Sequence, residues 1–287
     1  MIPEISASKV AALIGLNKYQ TPSETMYDLF QKDKDIKQKI REIERSNGRC
    51  PFNVVLSKVL KEQSIQDCIA IGVSEAMKTS DVKSVLESVE QKANLILNLR
   101  HGTLASDVRS KIAEEVRGMV SKRRGIQNEN NILDQYETQR EVKVVERNTK
   151  MCRKTYSNFK LVGRTDGYVP SENRIVDSKD RTRFWETVPI YDEIQLRCYM
   201  DMTGVAESEL VERFPDGNTR HTKFINDPEK WKQIEQAVAQ AAAKMNEILE
   251  SPEQLKRIVF ENTVWTHNDG NQDYSGDSAS FATTSHV

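Results

Sequence analysis

No run in the sequence approaches the roughly 18 consecutive apolar residues that cross a bilayer, and its first residues lack the basic-then-apolar order of a secretory leader. A soluble intracellular protein with no membrane partner is therefore expected. Cysteine is scarce: Cys50, Cys68, Cys152 and Cys198 stand far apart with no CxxC pair, which argues against a zinc ribbon, an iron–sulfur cluster or a disulfide frame and fits reduced, buried thiols. Excess charge is also missing. With 42 Lys and Arg against 43 Asp and Glu, the formal net charge is −1, so any attraction to a polyanion must come from a local cluster. Absent too are an internal repeat and the glycine-rich loop with which nucleotide hydrolases cradle phosphate.

What is present fits one α/β core with an insertion: 287 residues, 37% hydrophobic and 30% charged. Residues 6–31 read as two short helices, the first ending at Gly15 and the second opening at Thr21-Pro22-Ser23-Glu24. That tetrad is a capping box, and Met26, Tyr27, Leu29 and Phe30 follow as core contacts. These N-terminal helices (1–31) are assigned to the core. Residues 32–122 turn polar and lysine-rich, with Val85, Val89, Ile96, Val108, Ile112, Val116 and Met119 at helical spacing, and are read as a helical insertion for packing or partner contact.

The core resumes over 123–265. The pattern predicts a helix over 123–139, strands over 141–147, 158–169 and 174–179, and a helix over 189–203. Strands at Glu209–Phe214 and Thr222–Ile225 come next, then a long amphipathic helix carrying Trp231, Ile234, Val238, Met245 and Ile248 on one face. The expected class is α/β, a mixed sheet flanked by helices. The polar stretch 266–287 has too few apolar residues to offset the entropy of ordering and reads as a disordered tail.

The chemistry centres on Gly163-Arg164-Thr165-Asp166-Gly167, a turn at Pro170-Ser171-Glu172-Asn173, and Arg174-Ile175-Val176-Asp177-Ser178-Lys179. A hairpin centred between Ser171 and Glu172 sets Asp166 opposite Asp177, and the two-residue strand period puts Lys179 on the face of Asp177. Two carboxylates side by side repel unless a cation lies between them, and their oxygens are the hard ligands Mg²⁺ prefers. A metal so held can polarise a phosphate and acidify water, with Lys179 steadying the nucleophile or the developing charge. Taken alone, the same residues also read as solvated positions of a half-exposed strand.

Further elements lie in order around the hairpin. Glu129, in Gly125-Ile126-Gln127-Asn128-Glu129, is a third carboxylate on the preceding helix, and Gln195 and Tyr199 stand at i and i+4 on the following one. Ser6-Ala7-Ser8-Lys9-Val10 opens the first helix, where free amides and serine hydroxyls suit either simple capping or an anion. The succession Ser8, Gly-x-x-x-Glu, Gly-x-x-Asp-Gly, Asp-x-Lys and Gln-x-x-x-Tyr resembles the lambda-type phage exonuclease and YqaJ viral recombinase family of the PD-(D/E)xK nucleases. The likeness covers about residues 5–30 and 123–215.

The resemblance implies a restriction-endonuclease-like core. It further implies that Glu129, Asp166 and Asp177 hold two Mg²⁺ or Mn²⁺ ions, that Lys179 assists the attacking water, and that Gln195 and Tyr199 complete the pocket. Its substrate would be double-stranded DNA ends, digested 5′ to 3′ in recombination, repair or replication, with a single-strand annealing protein and a homo-oligomer as possible associations. A viral origin would place it in the cytoplasm or nucleus of an infected cell. Ser8 matches the serine that holds a terminal phosphate, while the arginine usual before it is missing here; Arg164 is the candidate replacement. Asp177 stands where many members have Glu. Arg181, Arg183 and Trp185 are read as DNA contacts, with Phe184 and Trp185 fitting either stacked bases or a strand end in the core. Two other readings stay open: a structure-specific or nicking endonuclease, and a DNA-binding scaffold without catalysis.

Overall fold

The computed structural model describes residues 2–48, 50–264 and 266. Of the stretch 266–287 read above as a disordered tail, 267–287 lies outside the described residues, while Thr266 is buried, its N–H and hydroxyl each donating to Cys50 O at 2.9 Å. The chain begins with strand β1 (Glu4–Ser6) and helices α1 (Ala7–Leu13), α2 (Pro22–Phe30) and α3 (Lys34–Ser46). The capping box forms as expected: Glu24 N–H donates to Thr21 Oγ1 at 3.2 Å and Thr21 N–H donates to the Glu24 carboxylate at 2.7 Å. With its first turn fixed and Pro22 at its start, α2 buries Met26, Tyr27, Leu29 and Phe30.

Four helices follow, α4 (Phe52–Val59), α5 (Gln63–Ala76), α6 (Val82–Arg100) and the 35-residue α7 (Ser106–Arg140). Ile65, Ile69, Val89, Leu97, Ile112, Val116 and their neighbours between Phe52 and Val120 pack on one another as an apolar core of their own. Helix α3 is not part of it. Ile36 and Ile40, one turn apart, pack into the main core instead, alongside Phe30. Helix α7 also runs unbroken through the expected start at 123. Gly118 and Gly125 each cost about 1 kcal/mol in a helix, but Val116 and Val120 anchor α7 in one core and Ile132, Leu133 and Tyr136 in another.

After α7 the expected strand at 141–147 is replaced by turns. Glu141, Glu146 and Asn148 adopt left-handed φ of 53°, 56° and 52°, and Val145 contributes a single bridge to Tyr168. The next strand is β2 (Met151–Thr155). The stretch expected as one strand over 158–169 divides into β3 (Lys160–Arg164) and β4 (Gly167–Val169), which join different sheets. Then come β5 (Arg174–Asp180), α8 (Ile190–Thr203), β6 (Glu207–Arg213), β7 (Thr219–Ile225), α9 (Pro228–Glu250) and α10 (Pro252–Asn262).

The larger sheet has the order β4-β5-β6-β7, with β5 and β6 parallel and the outer pairs antiparallel; the smaller has β1-β3-β2, with β1 parallel to β3. This is the expected mixed α/β arrangement. Ile175 and Leu210 face a core shared with α1, α8 and α9, while Val176 and Val211 face Ile132, Leu133 and Tyr136 of α7. Strand β5 is thus covered on both faces, which positions its polar residues Asp177 and Lys179 toward α8 and Asp180 toward α7. Among the described residues, no helix is long and apolar enough to cross a membrane.

Candidate active site

The hairpin of β4 and β5 pairs Gly167 with Val176, Tyr168 with Ile175 and Val169 with Arg174. Continued by one residue, that register sets Asp166 opposite Asp177, as the turn position predicted. Asn173, with φ 45°, closes the turn in the left-handed conformation that asparagine tolerates. The two glycines around Asp166 have packing reasons. A Cβ on Gly163 would lie 2.5 Å from Tyr199 Cε1 and 3.2 Å from Ala7 Cβ, and one on Gly167 would collide with Val144 Cγ1.

Asp177 is 1% exposed. Its Oδ2 lies 2.5 Å from Lys179 Nζ, and its Oδ1 is buried without a hydrogen-bond partner. Asp166 Oδ2 accepts from Ser178 N–H at 2.7 Å and Ser178 Oγ at 3.0 Å. Burial, reinforced by the charge of Asp166, pushes the Asp177 carboxyl up to about 6 despite the nearby ammonium. Burial likewise raises Asp166. Lys179 would be lowered by burial alone, but Asp177, Asp166 and Asp192 outweigh it and hold the ammonium charged.

Glu129 reaches the same cluster from α7. Burial raises its carboxyl, the Asn148 hydrogen bond and Lys179 oppose, and Asp177 adds to the rise. Asn148, which the sequence reading missed, ties the parts together: its side chain donates to Glu129 Oε2 at 3.0 Å and its backbone N–H to Asp166 O at 3.1 Å. Only its tolerance of left-handed φ marks it in the sequence. On the other side, Gln195 Nε2 donates to Tyr199 Oη at 2.9 Å. Tyr199 is 3% exposed, and burial and then the Asp177 charge keep its hydroxyl protonated.

Glu129, Asp166, Asp177, Lys179, Gln195 and Tyr199 therefore converge, whereas the expected DNA contacts divide. Ser8 and Arg164 are exposed. Arg181 turns inward, its guanidinium 2.6 Å from Asp192 and 2.7 Å from Glu212, and so ties β5 to α8 and β6 on the face that carries Asp177 and Lys179. Arg183 lies over the Trp185 ring, 4.4 Å from its centroid. Exposed Phe184 rests at 5.0 Å on Phe214. Asp192, also missed, is 3% exposed and raised foremost by burial, within reach of the charges of Lys179 and Asp177. Its place three residues before Gln195 on one helix face was the available signal.

A divalent cation suits this donor set. Two facing carboxylates carry more buried negative charge than one ammonium balances, and Asp177 Oδ1 is an acceptor with no partner. Among the described residues, however, no three carboxylate, histidine or cysteine side chains are drawn together as a chelating group. Glu129 is turned to Asn148 and Asp177 to Lys179.

No family model matches the chain, and no curated protein does. Solved structures similar to it include an alkaline exonuclease from Laribacter hongkongensis at 19% identity, covering 49% of this chain and 75% of that one with a TM-score of 0.39. The same exonuclease in complex with dAMP matches at 17% identity over 59% and 92% of the two chains, also with a TM-score of 0.39. A phage-related exonuclease from Haemophilus somnus 129PT matches at 15% identity over 45% and 72%, with a TM-score of 0.37.

Proposed function

We propose that the chain is a divalent-metal-dependent DNA nuclease that digests linear duplex ends from 5′ to 3′, with a core of the PD-(D/E)xK kind. The observation that carries the reading is the facing pair Asp166 and Asp177 with Lys179 on the same strand face and an unpartnered carboxylate oxygen at the centre. The order of motifs in the sequence adds to it.

Asp166 and Asp177 would hold Mg²⁺ or Mn²⁺, joined by Glu129 once it leaves Asn148; a second ion would draw on the same three residues. When bound, the metal supplies Lewis-acid polarisation of the scissile phosphate and a more acidic water. The chain's own groups do the rest. Lys179, released from Asp177, orients the attacking water or meets the charge growing on the phosphate. Gln195 and Tyr199 offer neutral hydrogen-bond donors that fix the phosphate or the water without adding charge. Arg164 and Ser8, both exposed, are assigned to the phosphate at the strand end.

The role would be resection in recombination, repair or replication, leaving a 3′ strand for an annealing protein. Digestion of linear and closed circular duplex in Mg²⁺, each linear form with and without a 5′-phosphate, tests the reading. Loss of the linear form alone, faster with the phosphate, is expected. Cleavage of the circle would make the enzyme an endonuclease, and binding without cleavage in any divalent metal would leave a scaffold.

A further inference from the structure

Two chain segments distant in sequence meet beside the carboxylate cluster. The loop after α1 brings Lys18 and Tyr19, and the connection from β5 to α8 brings Arg183, Trp185 and Tyr191. Tyr19 and Tyr191 meet edge to face with ring centroids 6.2 Å apart. Lys18 Nζ lies over both the Tyr19 and Trp185 rings, at 5.1 and 5.4 Å from their centroids. Arg183 covers Trp185 at 4.4 Å and donates to Tyr19 Oη at 3.5 Å.

These rings are not core. Tyr19 is 59% exposed, and Trp185 and Tyr191 are partly exposed. Three aromatic rings left partly in water beside two cations need a reason, because aromatic faces are more stable covered. Tyr191 directly precedes Asp192, which lies within electrostatic reach of Lys179 and Asp177, so the cluster borders the proposed site.

We infer that Tyr19, Trp185 and Tyr191 form a stacking platform for the unpaired bases of a single nucleic-acid strand, with Lys18 and Arg183 holding its phosphates. Rings at the edge of a cationic site accept any base face, while cations track the backbone without reading sequence. A duplex would present its paired bases edge-on and leave the rings unused, so the platform selects the frayed or separated strand. The inference rests on the nuclease reading for which strand is fed to Asp166 and Asp177, but the binding itself does not require cleavage.

The test uses the full chain in EDTA and a fluorescent oligothymidylate about a dozen nucleotides long, followed by anisotropy. Tyr19→Ala and Trp185→Ala should each weaken binding about tenfold. Tyr19→Phe and Trp185→Phe, which keep a ring, should stay near wild type, and base stacking should quench the fluorescence of wild type more than that of Trp185→Phe. Unchanged affinity in both alanine variants, or no single-strand binding by the wild type, would overturn the platform. Mg²⁺-dependent cleavage by the wild type, measured alongside, keeps the two readings apart: its absence counts against the nuclease alone.

Discussion

Lys179 Nζ and Asp177 Oδ2 stand 2.5 Å apart on one face of β5, so the group proposed to steady a phosphate also neutralises the carboxylate proposed to bind a metal. Removing the lysine should therefore impair chemistry more than binding. Lys179→Ala is expected to lower kcat by about a hundredfold or more while leaving KM for duplex ends within a few-fold, as steady-state kinetics on end-labelled DNA would reveal.

Gly163 is placed to be diagnostic because its missing Cβ leaves room for the ring of Tyr199. Gly163→Ala should displace that ring from Gln195 and strain the contact with Ala7. A cost of about 1–3 kcal/mol in urea unfolding is expected, with a fall in kcat that a remote alanine substitution would not produce. Full stability together with full activity would show that the close approach is not needed.

Beneath the sheet, Arg124 joins three parts of the molecule. Its guanidinium lies 2.7 Å from the Asp180 carboxylate, and its Nε donates to Ala76 O at the end of α5. Asp180 also holds Asn128 at 2.6 Å, one residue before Glu129. Arg124→Met should cost about 3 kcal/mol, at the low end for a broken buried pair because Arg213 still faces Asp180 at 3.2 Å. Chemical denaturation would measure the loss, and reduced activity at temperatures where the variant stays folded would show that α7 positions Glu129.

Acid sensitivity should trace to Glu209 on β6. Burial alone would raise this carboxyl, but His221, Tyr136, Arg174 and Arg140 together bring it down to about 2. A depressed acid stabilises the fold above its unfolded value of about 4.3 and loses that contribution as pH falls through the folded value. About 3 kcal/mol should disappear between roughly pH 5 and 2. Glu209→Gln should flatten the stability profile in that window, read from thermal unfolding against pH.

Where local chemistry decides, the sequence was readable. The Thr21 and Glu24 capping box, the register of Asp166 against Asp177, and the pairing of Gln195 with Tyr199 follow from spacing alone. Long-range choices were not. That β1 would pair with β3 depends on residues more than 150 positions apart, and the division of the 158–169 stretch between two sheets arises where Asp166 turns to Ser178. Arg181 reads as a surface cation until Asp192 and Glu212 are brought to it by α8 and β6. Asn148 carries no motif at all, since its role comes from a turn that replaces a predicted strand.

The most direct measurement is single-turnover cleavage of an end-labelled linear duplex by wild type and Asp177→Asn, each in Mg²⁺ and in EDTA. The substitution keeps the size of the side chain and removes the charge that would bind the ion. Wild type is expected to cleave only with Mg²⁺, and Asp177→Asn to bind DNA equally well while cleaving at least about a thousandfold more slowly. Cleavage by wild type in EDTA, or by the variant at the wild-type rate, would contradict a metal-dependent site at Asp166 and Asp177.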